Sequence, residues 1–324
     1  MLPAPTSRPV SRICHALDFP SELASYSFAM NAHSDIEGKN VTRSHRSSSN
    51  ALTVIIIVLA ACAVLGAVLW FALSNSDSAT FRDLTKTPGS EYPIGTPSSS
   101  EPSGMAPPAS NALAGYSLSY ENDFNGTTLP SGWYVFTGVP GGDPGGQFGA
   151  SHVVVGSGLL QLNTFKDLAF NDKWVNGGLC QCGLSQTYGA YFVRSRITGL
   201  GPNEAEVLWP KANVWPPEID FNETGGDVVD TSSTVHFGSS NQIDQRHLAI
   251  NMTYWHTWGV IWTPTAITYI VDGKVWGKIT VASEIPNQPM TLDFEQRSRC
   301  TTGSQCPTAP VSMKIDWVAE YVAK

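Results

Sequence analysis

The chain has 324 residues, with 19 Lys and Arg against 27 Asp and Glu and a formal net charge of −8. That acidic balance argues against a nucleic-acid-binding protein, which needs a basic stripe to neutralise phosphates. The length allows two domains, but the composition changes so sharply along the chain that a single folded unit is expected.

Residues 1–50 are polar and lack hydrophobic periodicity, and they read as a disordered cytoplasmic tail, with Met30 a candidate start. From Leu52 to Leu73 the chain runs without a charge, long enough to cross a bilayer, which needs about 20 residues. A secretory leader has a shorter apolar region of about 7–15 residues. No polar face is present to meet water in a soluble amphipathic helix. Residues 51–73 are therefore expected to form an uncleaved transmembrane helix, with secretion after leader cleavage as the alternative. Lys39, Arg43 and Arg46 precede the span, while Arg82 and Lys86 follow it among Asp77, Asp83, Glu91 and Glu101. The positive-inside rule then puts the N-terminus in the cytoplasm and the bulk of the chain outside. Residues 74–115 are rich in Ser, Pro, Gly, Thr and Ala, a composition that cannot bury a core of its own, and read as a flexible linker.

From residue 116 to 324 strand signals dominate. Val153-Val154-Val155 and Leu159-Leu160-Gln161-Leu162 flank Gly156-Ser157-Gly158, a hairpin pattern. Trp258, Val260 and Trp262 alternate and should share one buried face, as should Val311, Met313, Ile315 and Trp317. Asp272-Gly273 marks a tight turn. Short strands separated by Gly, Pro and Asn predict an all-β sandwich. Of the six cysteines, Cys180, Cys182, Cys300 and Cys306 fall in this region, where an oxidising compartment lets them form disulfides. Pairing within each couple and pairing across the two are both open, and neither spacing is that of a zinc ribbon.

The most informative segment is Trp215-Pro216-Pro217-Glu218-Ile219-Asp220-Phe221-Asn222-Glu223. In a strand Glu218 and Asp220 share a face, and Glu223 joins them only if a β-bulge lies between Asp220 and Glu223. The two glutamates are then about 13 Å apart at Cα, at about 3.3 Å per residue. Inward reach leaves roughly 5–6 Å between carboxyl groups, the separation of a retaining glycosidase. Like charges crowded on one strand face are unfavourable unless something uses them. Asn222 enters only as the extra residue, so Asn222→Ala is expected to be mild.

This strand resembles the active-site strand of glycoside hydrolase family 16, the group of laminarinases, lichenases, agarases and carrageenases. Other stretches agree in order: Tyr120 to Gly126, Gln186 to Arg196, Thr234-Val235-His236-Phe237, Trp255 to Pro264, Tyr269 to Lys274, and Lys314 to Val318. The resemblance covers about 116–322 and implies a concanavalin-like jelly roll with a concave substrate cleft. It assigns Glu218 as nucleophile, Glu223 as acid/base and Asp220 as the residue that orients Glu218. It further suggests Trp209, Trp215, His236 and Gln296 as sugar-binding candidates. A structural calcium would be held by Asp316 with Gly158, and no cofactor is needed for catalysis. Glu204-Ala205-Glu206-Val207-Leu208-Trp209-Pro210 departs from the Trp-Pro-Ala-x-Trp segment of many laminarinases, so the cleft wall there is expected to be remodelled. The implied function is a monomeric retaining endo-glycoside hydrolase acting on a polysaccharide, β-1,3 or mixed β-1,3/1,4-glucan. The alternatives are a wall-glucan transglycosylase using the same residues, or a catalytically silent carbohydrate-binding jelly roll.

Overall fold

Alternating apolar residues build two β-sheets that face one another across a common core. The computed structural model describes residues 90–301 and 305–324. The expected tail, the expected membrane span and the first part of the linker lie outside the described residues. Among those described, no helix is long and apolar enough to cross a membrane.

In chain order the strands are β1 (Thr96–Pro97), β2 (Met105–Ala106), β3 (Tyr116–Asn122), β4 (Tyr134–Val135), β5 (Val153–Gly156) and β6 (Leu159–Asp167). They continue with β7 (Lys173–Val175), β8 (Gly178–Cys180), β9 (Gly189–Ile197), β10 (Asn203–Pro210), β11 (Glu218–Glu223) and β12 (Asp230–Phe237). The last are β13 (Gln242–Ala249), β14 (His256–Thr263), β15 (Ala266–Val271), β16 (Lys274–Ile279), β17 (Met290–Arg297) and β18 (Val311–Ala323). The front sheet has the order β13-β12-β11-β10-β17-β8-β4, and the back sheet β16-β15-β14-β9-β18-β6-β5, with β3 on β18 and β7 on β6. The named pairs within both sheets are antiparallel. This is the β-sandwich expected from the strand pattern.

The local turn signals act where they stand. Ser157 (φ 58°) and Gly158 (φ 72°) close the β5–β6 hairpin, and Asp272 (φ 45°) and Gly273 (φ 77°) close β15–β16. Two successive residues at positive φ give a turn whose twist matches antiparallel strands. Trp258, Val260 and Trp262 all enter the core between the sheets, with Ile219, Phe221, Leu208 and Phe294 facing them from the front sheet.

The alternation expected along β18 does not hold. Its pairing with β9 slips between Ile315 and Trp317, so Val318 rather than Trp317 follows Ile315 into the core. Trp317 turns instead to the outer face of the back sheet, where it packs with Phe192, Ile270, Ala319 and Tyr321. That outer face is covered by the described part of the expected linker. Trp317 Nε1 donates to Met105 O (2.9 Å), Thr257 Oγ1 to Ile94 O (2.9 Å) and Ser103 N to Asp316 Oδ2 (3.1 Å). Gly95 lies so close to Trp317 that a Cβ there would come within 3.0 Å of the indole. Residues 90–115 are therefore a strap docked on the domain. Their composition cannot make a core, but Tyr92 and Leu113 need only join an apolar face already formed by the sheet.

Candidate active site

The register of the front sheet explains how the acids converge. β11 pairs with β12 through Asp220–Thr234 and Glu223–Ser232, three steps against two, so one residue is extra between Asp220 and Glu223. On the β10 side the same irregularity sets Val207 opposite Asp220 and Glu206 opposite Asn222. Ile219 and Phe221 fill the core, and Glu218, Asp220 and Glu223 line one cleft. Asn203, Ala205 and Val207 of β10, Thr234 and His236 of β12, and Glu295 and Arg297 of β17 line it with them.

Each acid has distinct partners. Glu218 Oε2 accepts from Trp215 Nε1 (2.7 Å). Asp220 Oδ2 lies 3.2 Å from His236 Nε2, and the other ring nitrogen of His236 meets Asn241 Oδ1 at 2.7 Å. Glu223 Oε1 accepts from Asn203 Nδ2 (2.7 Å), whose own Oδ1 accepts from Gly225 N (2.8 Å). Burial first, and then the charge of Asp220, pushes the Glu218 carboxyl well above its ordinary range. Asp220 is raised in the same way, by burial and then by Glu223, while a hydrogen bond with Glu218 opposes the rise. Two buried carboxyls in contact hold a proton between them because both cannot ionise cheaply. Beside them Glu295 and Arg297 form an ion pair at 2.6 Å, and Arg297 also donates to Gly141 O (2.8 Å).

The expected sugar-binding residues divide. Trp215 and His236 stand beside the acids, with ring centroids 5.4 Å apart. Trp209 lies on β10 in phase with the cleft residues Ala205 and Val207, buried, with Nε1 donating to Asn213 Oδ1 (2.9 Å). Gln296 is not a cleft residue. It alternates with Glu295 and Arg297, so it points to the core, where its Nε2 donates to Glu204 Oε1 (2.9 Å) and its Oε1 accepts from Thr164 Oγ1 (2.9 Å). Asn203, Glu295 and Arg297 are among the cleft residues that sequence reasoning missed. No local pattern marks them, because their place depends on β10 and β17 lying next to β11. Asn222 is more than a spacer, since its side chain is buried and bonded on the core side.

Among the described residues, one group of three could hold a metal ion: Glu218, Asp220 and His236. Two of its members already meet one another at 3.2 Å. Asp316 and Gly158, expected at a calcium site, both border the strap at Pro102 and Ser103. Asp316 Oδ1 and Glu101 Oε2 are buried there without hydrogen-bond partners. Two such carboxylate oxygens suit the oxygen preference of calcium. The cysteines pair locally, Cys180 with Cys182 and Cys300 with Cys306.

Comparison with known proteins points to one family. The model for the family described as glycosyl hydrolases family 16 matches residues 147–319. The chain is 26% identical to the glucan endo-1,3-beta-glucosidase A1 of Niallia circulans, over 66% of this chain and 39% of that protein. It is 31% identical to the endo-1,3-1,4-beta-glycanase ExsH of Rhizobium meliloti (strain 1021), over 42% of this chain and 31% of that one. It thus spans about two fifths or less of the length of these curated relatives. Among solved structures, the laminarinase from Rhodothermus marinus superposes with a TM-score of 0.58 at 20% identity, covering 64% of this chain and 98% of that one. Likeness at that identity speaks for the fold alone.

Proposed function

The chain belongs to the glycosyl hydrolases of family 16, and from that premise we propose that it cleaves β-1,3 or mixed β-1,3/1,4-glucan internally by double displacement. The observation that carries this reading is the bulge between Asp220 and Glu223, which turns three carboxyls of one strand onto one cleft. Glu218 attacks the anomeric carbon and forms a glycosyl-enzyme, while Glu223 protonates the departing glycosidic oxygen. Glu223 then takes a proton from water, which attacks the anomeric carbon and releases Glu218. Asp220, which shares a proton with Glu218, orients the nucleophile, and the Trp215 N–H supports one of its oxygens. Asn203 fixes the acid/base carboxyl from the opposite side of the strand. The names of the two curated relatives, an endo-1,3-beta-glucosidase and an endo-1,3-1,4-beta-glycanase, support the substrate class.

The test is reducing-end release from laminarin, lichenan, agarose and galactan, with NMR of the earliest product. Release from the first two, with retained β configuration, is expected, and an inverted first product rules out the double displacement. Transfer products at high acceptor concentration would assign the same site to a transglycosylase. The placement proposed for the domain, outside a membrane on a single N-terminal span, rests on the run Leu52 to Leu73 and its flanking charges. Protease added to intact cells should then release it, and a soluble domain starting near Ala79 would show a cleaved leader instead.

A further inference from the structure

Below the cleft floor, on the core face of β10, Glu206 is fully buried among neutral donors. Its Oε1 accepts from the hydroxyl of Ser195, on β9 of the opposite sheet, and from Asn222 Nδ2 at 3.2 Å. Asn222 stands directly across the strand pair from Glu206. The Oδ1 of Asn222 accepts from Thr231 Oγ1 (2.7 Å), and the same Thr231 oxygen accepts from the backbone N–H of Glu223 (3.0 Å). One unbroken hydrogen-bonded chain therefore runs from the back sheet to the main chain of Glu223, through Ser195, Glu206, Asn222 and Thr231.

We propose that Glu206 is a positioning residue, which acts through Asn222 and Thr231 to fix the bulge and so aim Glu223 into the cleft. The inference rests on the reading of Glu223 as the acid/base. A bulge disrupts the ladder around its extra residue, so side-chain hydrogen bonds must hold the conformation that the ladder no longer dictates. Each link of this chain is buried, and a link removed leaves its neighbour without a partner. A misplacement of about 1 Å in a catalytic group can cost about 10²-fold in rate. Glu206 also lies in the stretch Glu204 to Pro210, where this chain departs from the laminarinase pattern.

The experiment compares the full chain with its Glu206→Gln and Glu206→Met variants, by kcat and KM on laminarin and by hydrogen exchange at the Glu223 amide. Gln keeps an acceptor at Oε1, so kcat should stay within about twofold. Met fills the same space without an acceptor, so kcat should fall about 30-fold with KM nearly unchanged, as when only the transition state loses support. The Glu223 amide should exchange about tenfold faster in the Met variant, while the Val318 amide of β18 stays as protected as before. A Met variant with wild-type kcat, a Gln variant as impaired as Met, or unchanged exchange at Glu223 would each overturn the proposal. If the Met variant does not fold, Asn222→Ala breaks the same chain one link further on and is judged by the same readings. If the wild-type protein cleaves no β-glucan, the functional reading fails, and amide exchange alone decides whether the clamp exists.

Discussion

The two faces of the same strands carry buried acids with opposite uses. On the cleft face, Glu218 and Asp220 crowd one another, and Glu223, Glu295, His236 and Arg297 bring charge close to them. On the core face, the hydrogen-bond partners of Glu204 and Glu206 are neutral donors, Gln296 for the first and Ser195 and Asn222 for the second, and the charge of Glu206 adds to the rise of Glu204. Burial raises the affinity for protons on both faces. Among the described residues no cation favours ionisation of the core pair, and burial holds both protonated near neutral pH as neutral hydrogen-bonding groups. The cleft pair instead lies among charged neighbours, Glu223, Glu295, His236 and Arg297. Burial alone therefore does not identify a reactive carboxyl, and the surrounding charges do.

The largest test of that contrast is to replace acids by amides on both faces. Glu218→Gln and Glu223→Gln should each lower kcat by about 10³-fold or more. Glu204→Gln should stay within about threefold in the same reducing-end assay, because Gln mimics a protonated Glu. Added azide should restore product formation to the Glu223 variant for a substrate whose leaving group needs no proton.

The next effect is on stability against pH. Burial raises Glu206 from 4.5 to about 8. A group raised on folding contributes its stability below the unfolded value, and that stability drains away as pH climbs towards the folded one. Between pH 4.5 and 8 the wild-type protein should therefore lose up to about 4 kcal/mol through this group. Denaturant titration of Glu206→Gln should show a flatter profile, and parallel profiles would mean that Glu206 is not held neutral.

Removing the partner rather than the acid gives a smaller change. Gln296→Leu leaves the Glu204 carboxyl without its donor and should cost about 1–3 kcal/mol, seen as a lower Tm with kcat little altered. A large loss of kcat at unchanged Tm would return Gln296 to the cleft. The mildest test is Asp220→Asn, which should leave a weakened but measurable enzyme. Asp220 is the second cause of the raised Glu218, so removing its charge lets Glu218 ionise at lower pH. The acid-side fall in kcat/KM should then move to lower pH, and a shift upward would reverse the assigned roles.

The sequence by itself determined whatever depends on neighbours along the chain. Two-residue alternation and turn chemistry located the β5–β6 and β15–β16 hairpins and the buried face of β14, and from these the sandwich followed. The spacing of Glu218, Asp220 and Glu223 required a bulge, and the strand pairing contains one. Tertiary structure alone decided what depends on strands distant in the chain. Gln296 lies next to two cleft residues in sequence, yet its side chain belongs to the core and serves Glu204. Trp317 fits the alternation of β18 until a slip against β9 sends it outward to the strap. The strap itself reads as a linker because its composition lacks a core, and only the back sheet supplies the apolar face that holds it. The acids of Glu204-Ala205-Glu206 are indistinguishable from catalytic ones by type and spacing. Alternation puts them on one face of β10, but only the assembled sheets determine that this face meets Ser195 and Asn222 rather than the cleft.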